Sequence, residues 1–133
     1  MESLSLLVLI LLISTLVGLL YRSKNGVIRK KRRLHISEAE FAGRYGSRIT
    51  ILQFSTTFCS QCRAAKSLIS DVVKDQTDIS YLEIDAESNL ALVRKVDVRS
   101  TPTTIFLDKG GYEIARATGA PKRDQLQKVI ASL

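Results

Sequence analysis

The chain has two cysteines, and they stand three apart in Cys59-Ser60-Gln61-Cys62. Ahead of them, Ile49-Thr50-Ile51-Leu52-Gln53-Phe54 is apolar and β-branched, which predicts a buried strand. Behind them, Leu68, Ile69, Val72 and Val73 recur at helical spacing, so Cys59 is expected at a helix N-terminus. Unpaired backbone N–H groups and the positive end of the helix dipole favour a thiolate over a thiol there. A second cysteine one helical turn further on can reach back and close a disulfide. Such a pair suits reversible two-electron chemistry. The plainer alternative is two cysteines acting only as small buried apolar residues. Zinc is a third reading, but it needs four ligands, or three and a water. The chain offers one cysteine pair and one histidine, His35, so no metal is expected without a second chain. His35 reads as an ordinary residue near the first strand of a domain.

These residues must be positioned by the rest of the 133, which divide by composition into three parts. Residues 4–20 carry no charge and are almost all Leu, Ile and Val, close to the run of about 17–20 that spans a hydrocarbon core. A cleavable signal peptide would want a basic start and a small-residue cleavage site. Glu2 is the one charged side chain before the run, and Gly18-Leu19-Leu20-Tyr21-Arg22 is a poor site. An uncleaved transmembrane anchor over residues 1–21 is therefore expected, with Tyr21 at the interface. Residues 22–33 form a basic juxtamembrane linker holding Arg22, Lys24, Arg29, Lys30, Lys31, Arg32 and Arg33 and no acid. Basic flanks stay on the cytoplasmic side, which puts the remaining domain on the cytoplasmic face; an extracytoplasmic domain is the alternative.

From residue 34 onward 13 Lys and Arg meet 12 Asp and Glu, so that part is nearly neutral and shows no electrostatic footprint for nucleic acid. Its 100 residues suit one domain with one core. Two cysteines exclude the multi-bridge framework of a small secreted scaffold.

Within residues 34–133, Leu34-His35-Ile36 is expected as a short first strand. Ser37 and Glu40 have the spacing of a capping box, opening a helix to about Tyr45 that stops at Gly46. After the strand at 49–55 and the long helix to about Lys74, residues 79–85 alternate as a strand. A short helix follows over about 88–96, then a strand at 104–107, a turn at Asp108-Lys109-Gly110-Gly111 and a returning strand at 112–118. Pro121 suits the first turn of a closing helix that presents Leu126, Val129, Ile130 and Leu133. Parallel strands joined by helices and finished by a hairpin make an α/β fold, a three-layer α/β/α sandwich with a mixed central sheet, preceded by one transmembrane helix.

The motifs Phe58-Cys59-Ser60-Gln61-Cys62-Arg63, Tyr81-Leu82-Glu83-Ile84-Asp85, Val98-Arg99-Ser100-Thr101-Pro102-Thr103 and Gly110-Gly111-Tyr112-Glu113 together resemble the thioredoxin family. The resemblance covers residues 34–133, and the anchor makes the chain look like a membrane-bound member. It implies that Cys59 is the attacking sulfur and Cys62 the resolving one. It implies a cis peptide before Pro102, facing the dithiol, with the Thr101 backbone free to pair with an extended target segment. Phe58, Ser60 and Gln61 complete the target-binding rim by the same likeness. Phe58 replaces the family's usual tryptophan, and Ser60-Gln61 replaces Gly-Pro. Gln53 falls where these proteins bury an aspartate, and Tyr81 where its lysine partner is common, so both are expected to tune the site. An amide offers no proton-accepting base at neutral pH.

The expected function is thiol–disulfide exchange through the Cys59/Cys62 dithiol, a protein-disulfide reductase without cofactor. Its partners would be disulfide-containing proteins and an upstream dithiol donor, with the membrane reached through the N-terminal helix. A non-catalytic redox-sensing or scaffold module, whose Cys59–Cys62 bridge controls partner binding, is the alternative. Arg63 and Lys66 are expected to be solvated charges on an exposed helix face.

Overall fold

The computed structural model describes residues 1–24, 26–29 and 34–133. Most of the basic stretch at residues 30–33, and Asn25, therefore lies outside the described residues. The elements run α1 (Glu2–Lys24), β1 (Ile28–Arg29), α2 (Glu38–Phe41), β2 (Ile49–Ser55), α3 (Ser60–Val73), β3 (Ile79–Asp85), α4 (Leu90–Lys95), β4 (Thr103–Asp108), β5 (Glu113–Thr118) and α5 (Arg123–Ser132).

Among the described residues, five strands make one sheet in the order β1-β5-β4-β2-β3. The β2–β3 pair is parallel, joined through α3, and the other pairs are antiparallel, so the sheet is mixed as expected. Every residue of β2 is buried, because both faces of this interior strand are covered. Ile49 and Ile51 point to one face, where they pack with Ile69 of α3 and Leu126 and Ile130 of α5. Leu52 and Phe54 point to the other, against Ile36, Phe41, Leu92 and Val96. The period-2 alternation of one strand thus holds two helical layers apart.

The expected first strand at residues 34–36 is not formed. His35 makes a single bridge to Tyr112, Ile36 N–H donates to Gly111 O (2.9 Å) and Glu113 N–H to Leu34 O (2.7 Å). The strand comes instead from Ile28–Arg29, inside the stretch expected to be linker, paired with Ala117 and Arg116 of β5. The helix after Ser37 is shorter than expected. Glu40 accepts from the Ser37 N–H (2.7 Å), but Ala42 turns left-handed (φ 52°) and ends the helix at Phe41. A side chain at Gly43 would come within 2.6 Å of Leu82 and 2.9 Å of Phe41, so the chain passes flush against the core there. The helix expected from 88 starts at Leu90, because Ser88 and Asn89 bond back to Asp85 (2.6 and 2.9 Å). Pro121 lies ahead of the N-cap Lys122 rather than in the first turn of α5.

Candidate active site

β2 delivers the chain to the dithiol and α3 carries it away. Cys59 is the N-cap of α3, in extended conformation, and its sulfur accepts the Cys62 backbone N–H at 3.1 Å. A first-turn N–H of the helix, unable to bond within it, thus points at the sulfur, as the residue pattern required. The two sulfurs are bonded, with Cα atoms 5.2 Å apart. Cys59 is half-buried, whereas Cys62 is 2% exposed. One sulfur is reachable and the other is shielded.

The segment Thr101-Pro102 comes back to this turn from a distant part of the chain. The Thr101–Pro102 peptide is cis. Thr101 Oγ1 lies 3.9 Å from Cys59 Sγ and 3.3 Å from Thr56 Oγ1, while Pro102 is buried. Ser60 and Gln61 are exposed beside the sulfurs, and Phe58, next to Cys59, is 98% exposed.

Gln53 and Tyr81 meet behind Cys62. The Tyr81 hydroxyl donates to Gln53 Oε1 at 2.6 Å. Gln53 Nε2 donates to Ser55 Oγ (3.0 Å) and to the Cys62 carbonyl (2.9 Å), tying the first turn of α3 to β2. Because Tyr81 can donate, the amide oxygen is turned toward it and the amide nitrogen toward Cys62. Burial, with the Glu83 carboxylate adding to it, pushes the Tyr81 phenol up, so it stays protonated and remains a donor. Gln53 itself is fully buried.

On the β3 side, a cleft of about 370 Å³ lies beside Cys59 and Cys62, lined by Thr56, Arg63, Lys66, Glu83 and Asp85 among others. Lys66 Nζ reaches Glu83 Oε1 at 3.4 Å across it. Lys66 thus takes part in the wall of the cleft as well as in an exposed helix face. Sequence reasoning missed Ser55 and Thr56 as partners. Their signal was available in the polar run Ser55-Thr56-Thr57 breaking an apolar strand just before Cys59. His35 lies apart from this cluster, its ring against Tyr112 with centroids 4.9 Å apart.

The thioredoxin family model matches residues 33–132. Thioredoxin H5 of Oryza sativa subsp. japonica is 35% identical over 78 residues, covering 59% of this chain and 57% of that protein. Thioredoxin-2 of Saccharomyces cerevisiae is 30% identical over 84 residues, covering 63% and 80%. The solved structure of a thioredoxin from Nicotiana alata superposes with a TM-score of 0.58 at 27% identity, over 65% of this chain and 73% of that one. The matched region spans about three-fifths of the rice relatives' length. With this fold, this site and these matches, the chain belongs to the thioredoxin family.

Proposed function

We propose that the chain is a membrane-anchored thiol–disulfide oxidoreductase that reduces or exchanges disulfides in other proteins. One observation carries the reading. A reachable Cys59 sulfur accepts a helix N-terminal N–H, and a buried Cys62 stands bonded to it. In the reduced protein, the Cys59 thiolate attacks one sulfur of a target disulfide. A mixed disulfide forms, and the other target sulfur leaves as a thiolate and takes a proton from solvent. Cys62 gives up its proton and attacks Cys59 Sγ. The second target sulfur is expelled, and the intramolecular bridge is left behind. The target gains two electrons and two protons, which an upstream dithiol donor returns to the Cys59–Cys62 pair.

Thr101, Pro102, Phe58, Ser60 and Gln61 form the binding rim in this reading, with the extended target laid along Thr101. Gln53 and Tyr81 tune the resolving step by placing a neutral amide where a base would speed deprotonation of Cys62. For the anchor, α1 is 23 residues long, with a window of mean hydropathy 2.7 and no buried residue. At 1.5 Å per residue it reaches about 35 Å, enough for a hydrocarbon core of about 30 Å. The seven basic residues of 22–33 favour the cytoplasmic side for the domain.

Insulin reduction driven by dithiothreitol or a thioredoxin reductase tests the activity. Turnover that disappears in Cys59→Ser is expected, and Cys62→Ser should accumulate mixed disulfides with its targets. A chain that binds partners according to its redox state but never turns over would be a sensor instead.

A further inference from the structure

The strand directions fix which end of the domain the N-terminal helix joins. β2 runs toward the dithiol, so Thr103, paired with Phe54, marks the same end at the start of β4. Thr118, paired with Thr103, marks it at the end of β5. β1 is antiparallel to β5, with Ile28 opposite Ala117, so the chain enters β1 from the dithiol end. Gly26 confirms the entry: its N–H donates to Thr118 O at 2.6 Å, and the neighbouring Gly119 N–H donates to Pro102 O at 2.8 Å, just ahead of β4. Gly26 has φ 77°, and a side chain there would collide with the Ala120 carbonyl oxygen, so the entry point is closely seated.

Chain length then bounds the distance to α1. Lys24 ends the helix and two peptide steps lead to Gly26, a reach of about 7 Å at most. Two strands, β5 and β4, lie between β1 and β2, which sets the dithiol about 14 Å sideways from the entry. The opposite end of the sheet, at the Asp108-Lys109-Gly110 turn, is about 20 Å further along the strands. Phe58, fully exposed, projects from the dithiol end, as an aromatic suited to a membrane–water interface would.

We propose that the dithiol end of the domain faces the bilayer, and that its substrates are disulfides that other membrane proteins present close to the membrane surface. This rests on the anchor reading of α1 and holds whichever side the domain occupies. A domain tethered at its far end would offer Cys59 to the bulk solution. Tethered at this end by so few residues, it offers Cys59 to the interfacial layer.

The test uses the full chain in vesicles of phosphatidylcholine and phosphatidylglycerol that carry headgroup nitroxides. A fluorophore is placed on Cys59 in Cys62→Ser, or on Lys109→Cys in a chain with both native cysteines changed to Ser. Quenching of the Cys59 label several-fold stronger than that of the Lys109 label is expected. An insert of about twelve Gly and Ser residues after Lys24, spanning roughly 20 Å, should make the two labels equal. Equal or reversed quenching in the uninserted chain, when it sediments with the vesicles, overturns the inference alone. A bias that survives the insert overturns the tether as its cause. A chain that does not sediment with the vesicles overturns the anchor reading and this inference together.

Discussion

Gln53 and Glu113 are both buried polar side chains on strands of the same sheet, at 0% and 1% exposure, yet their surroundings differ in kind. Gln53 sits on the α3 face, beneath the dithiol, in a neutral cluster with Tyr81, Ser55 and the Cys62 carbonyl. Glu113 sits on the opposite face in a salt bridge with Arg116, with Nε–Oε1 and Nη2–Oε2 contacts of 2.7 and 2.8 Å. Residues three apart on a strand normally face opposite ways. Here the register slips between Phe106 and Leu107, and the extra residue Ile114 returns Arg116 to the face of Glu113. Buried charge is thus kept away from the sulfurs, and Cys59 Sγ is approached by a backbone N–H and the Thr101 hydroxyl. A buried ion pair needs both partners, whereas a neutral network can lose one member at lower cost.

The largest expected effect follows from breaking the ion pair. Glu113→Ala leaves the Arg116 guanidinium, 13% exposed, without its carboxylate, and should cost about 3–5 kcal/mol in urea denaturation. Replacing both partners by apolar residues of similar volume should restore most of that loss. Neither change should alter the exchange rate of the folded fraction, because the pair touches no part of the dithiol. A single mutant as stable as the parent would remove the contrast between the two clusters.

Putting charge into the neutral cluster is the converse. Gln53→Asp supplies a base behind Cys62 and should speed resolution of a mixed disulfide near neutral pH about tenfold, or about 1.4 kcal/mol of barrier. Stopped-flow rates that do not move would show that proton removal at Cys62 does not depend on this position. Tyr81→Phe removes the donor to Gln53 Oε1 and leaves a buried amide oxygen unpaired, at about 1 kcal/mol of stability. The freed amide can then turn, and the hydrogen bond to the Cys62 carbonyl should weaken, seen as faster hydrogen exchange in the first turn of α3.

How much of this was legible beforehand depended on whether the signal was local. The strand at 49–55, the helix behind Cys59 and the strand at 79–85 carry their period in a few consecutive residues, and the structure has them in place. That Gln53 and Tyr81 belong to one site is legible only as two departures from a family pattern, and the pairing itself is not legible at all. Their hydrogen bond joins strands separated by 28 positions. The first strand was misplaced because Leu34-His35-Ile36 has strand-like residues, but its hydrogen bonds go to Gly111 and Glu113 at a single bridge. Ile28–Arg29 gave too short a run to be seen among basic residues, and its pairing is decided by β5. The pairing of Glu113 with Arg116 depends on the bulge at Ile114, for which the residue types give no sign.

A surface counterpart tests whether burial, rather than charge, sets the size of these effects. Glu40 carries the same kind of carboxylate as Glu113 and bonds to Lys95 Nζ at 2.5 Å, but the two side chains are 30% and 41% exposed. The Lys95 hydrogen bond first, then the Ser37 backbone N–H, holds the Glu40 carboxyl down at about 2. A carboxyl depressed on folding contributes stability that is present above its unfolded value, near 4.5, and is lost as pH falls toward about 2. Solvent screening limits that contribution to at most about 1 kcal/mol. Arg48 holds Asp78 down in the same way, so acid weakens the parent and a Glu40→Gln variant alike, and only their difference is diagnostic. The urea midpoint of Glu40→Gln should sit slightly below the parent at neutral pH and converge with it as the solution is acidified, and added salt should shrink the gap. A gap as large as that of Glu113→Ala, or one unchanged down to low pH, would mean that exposure does not separate the two carboxylates.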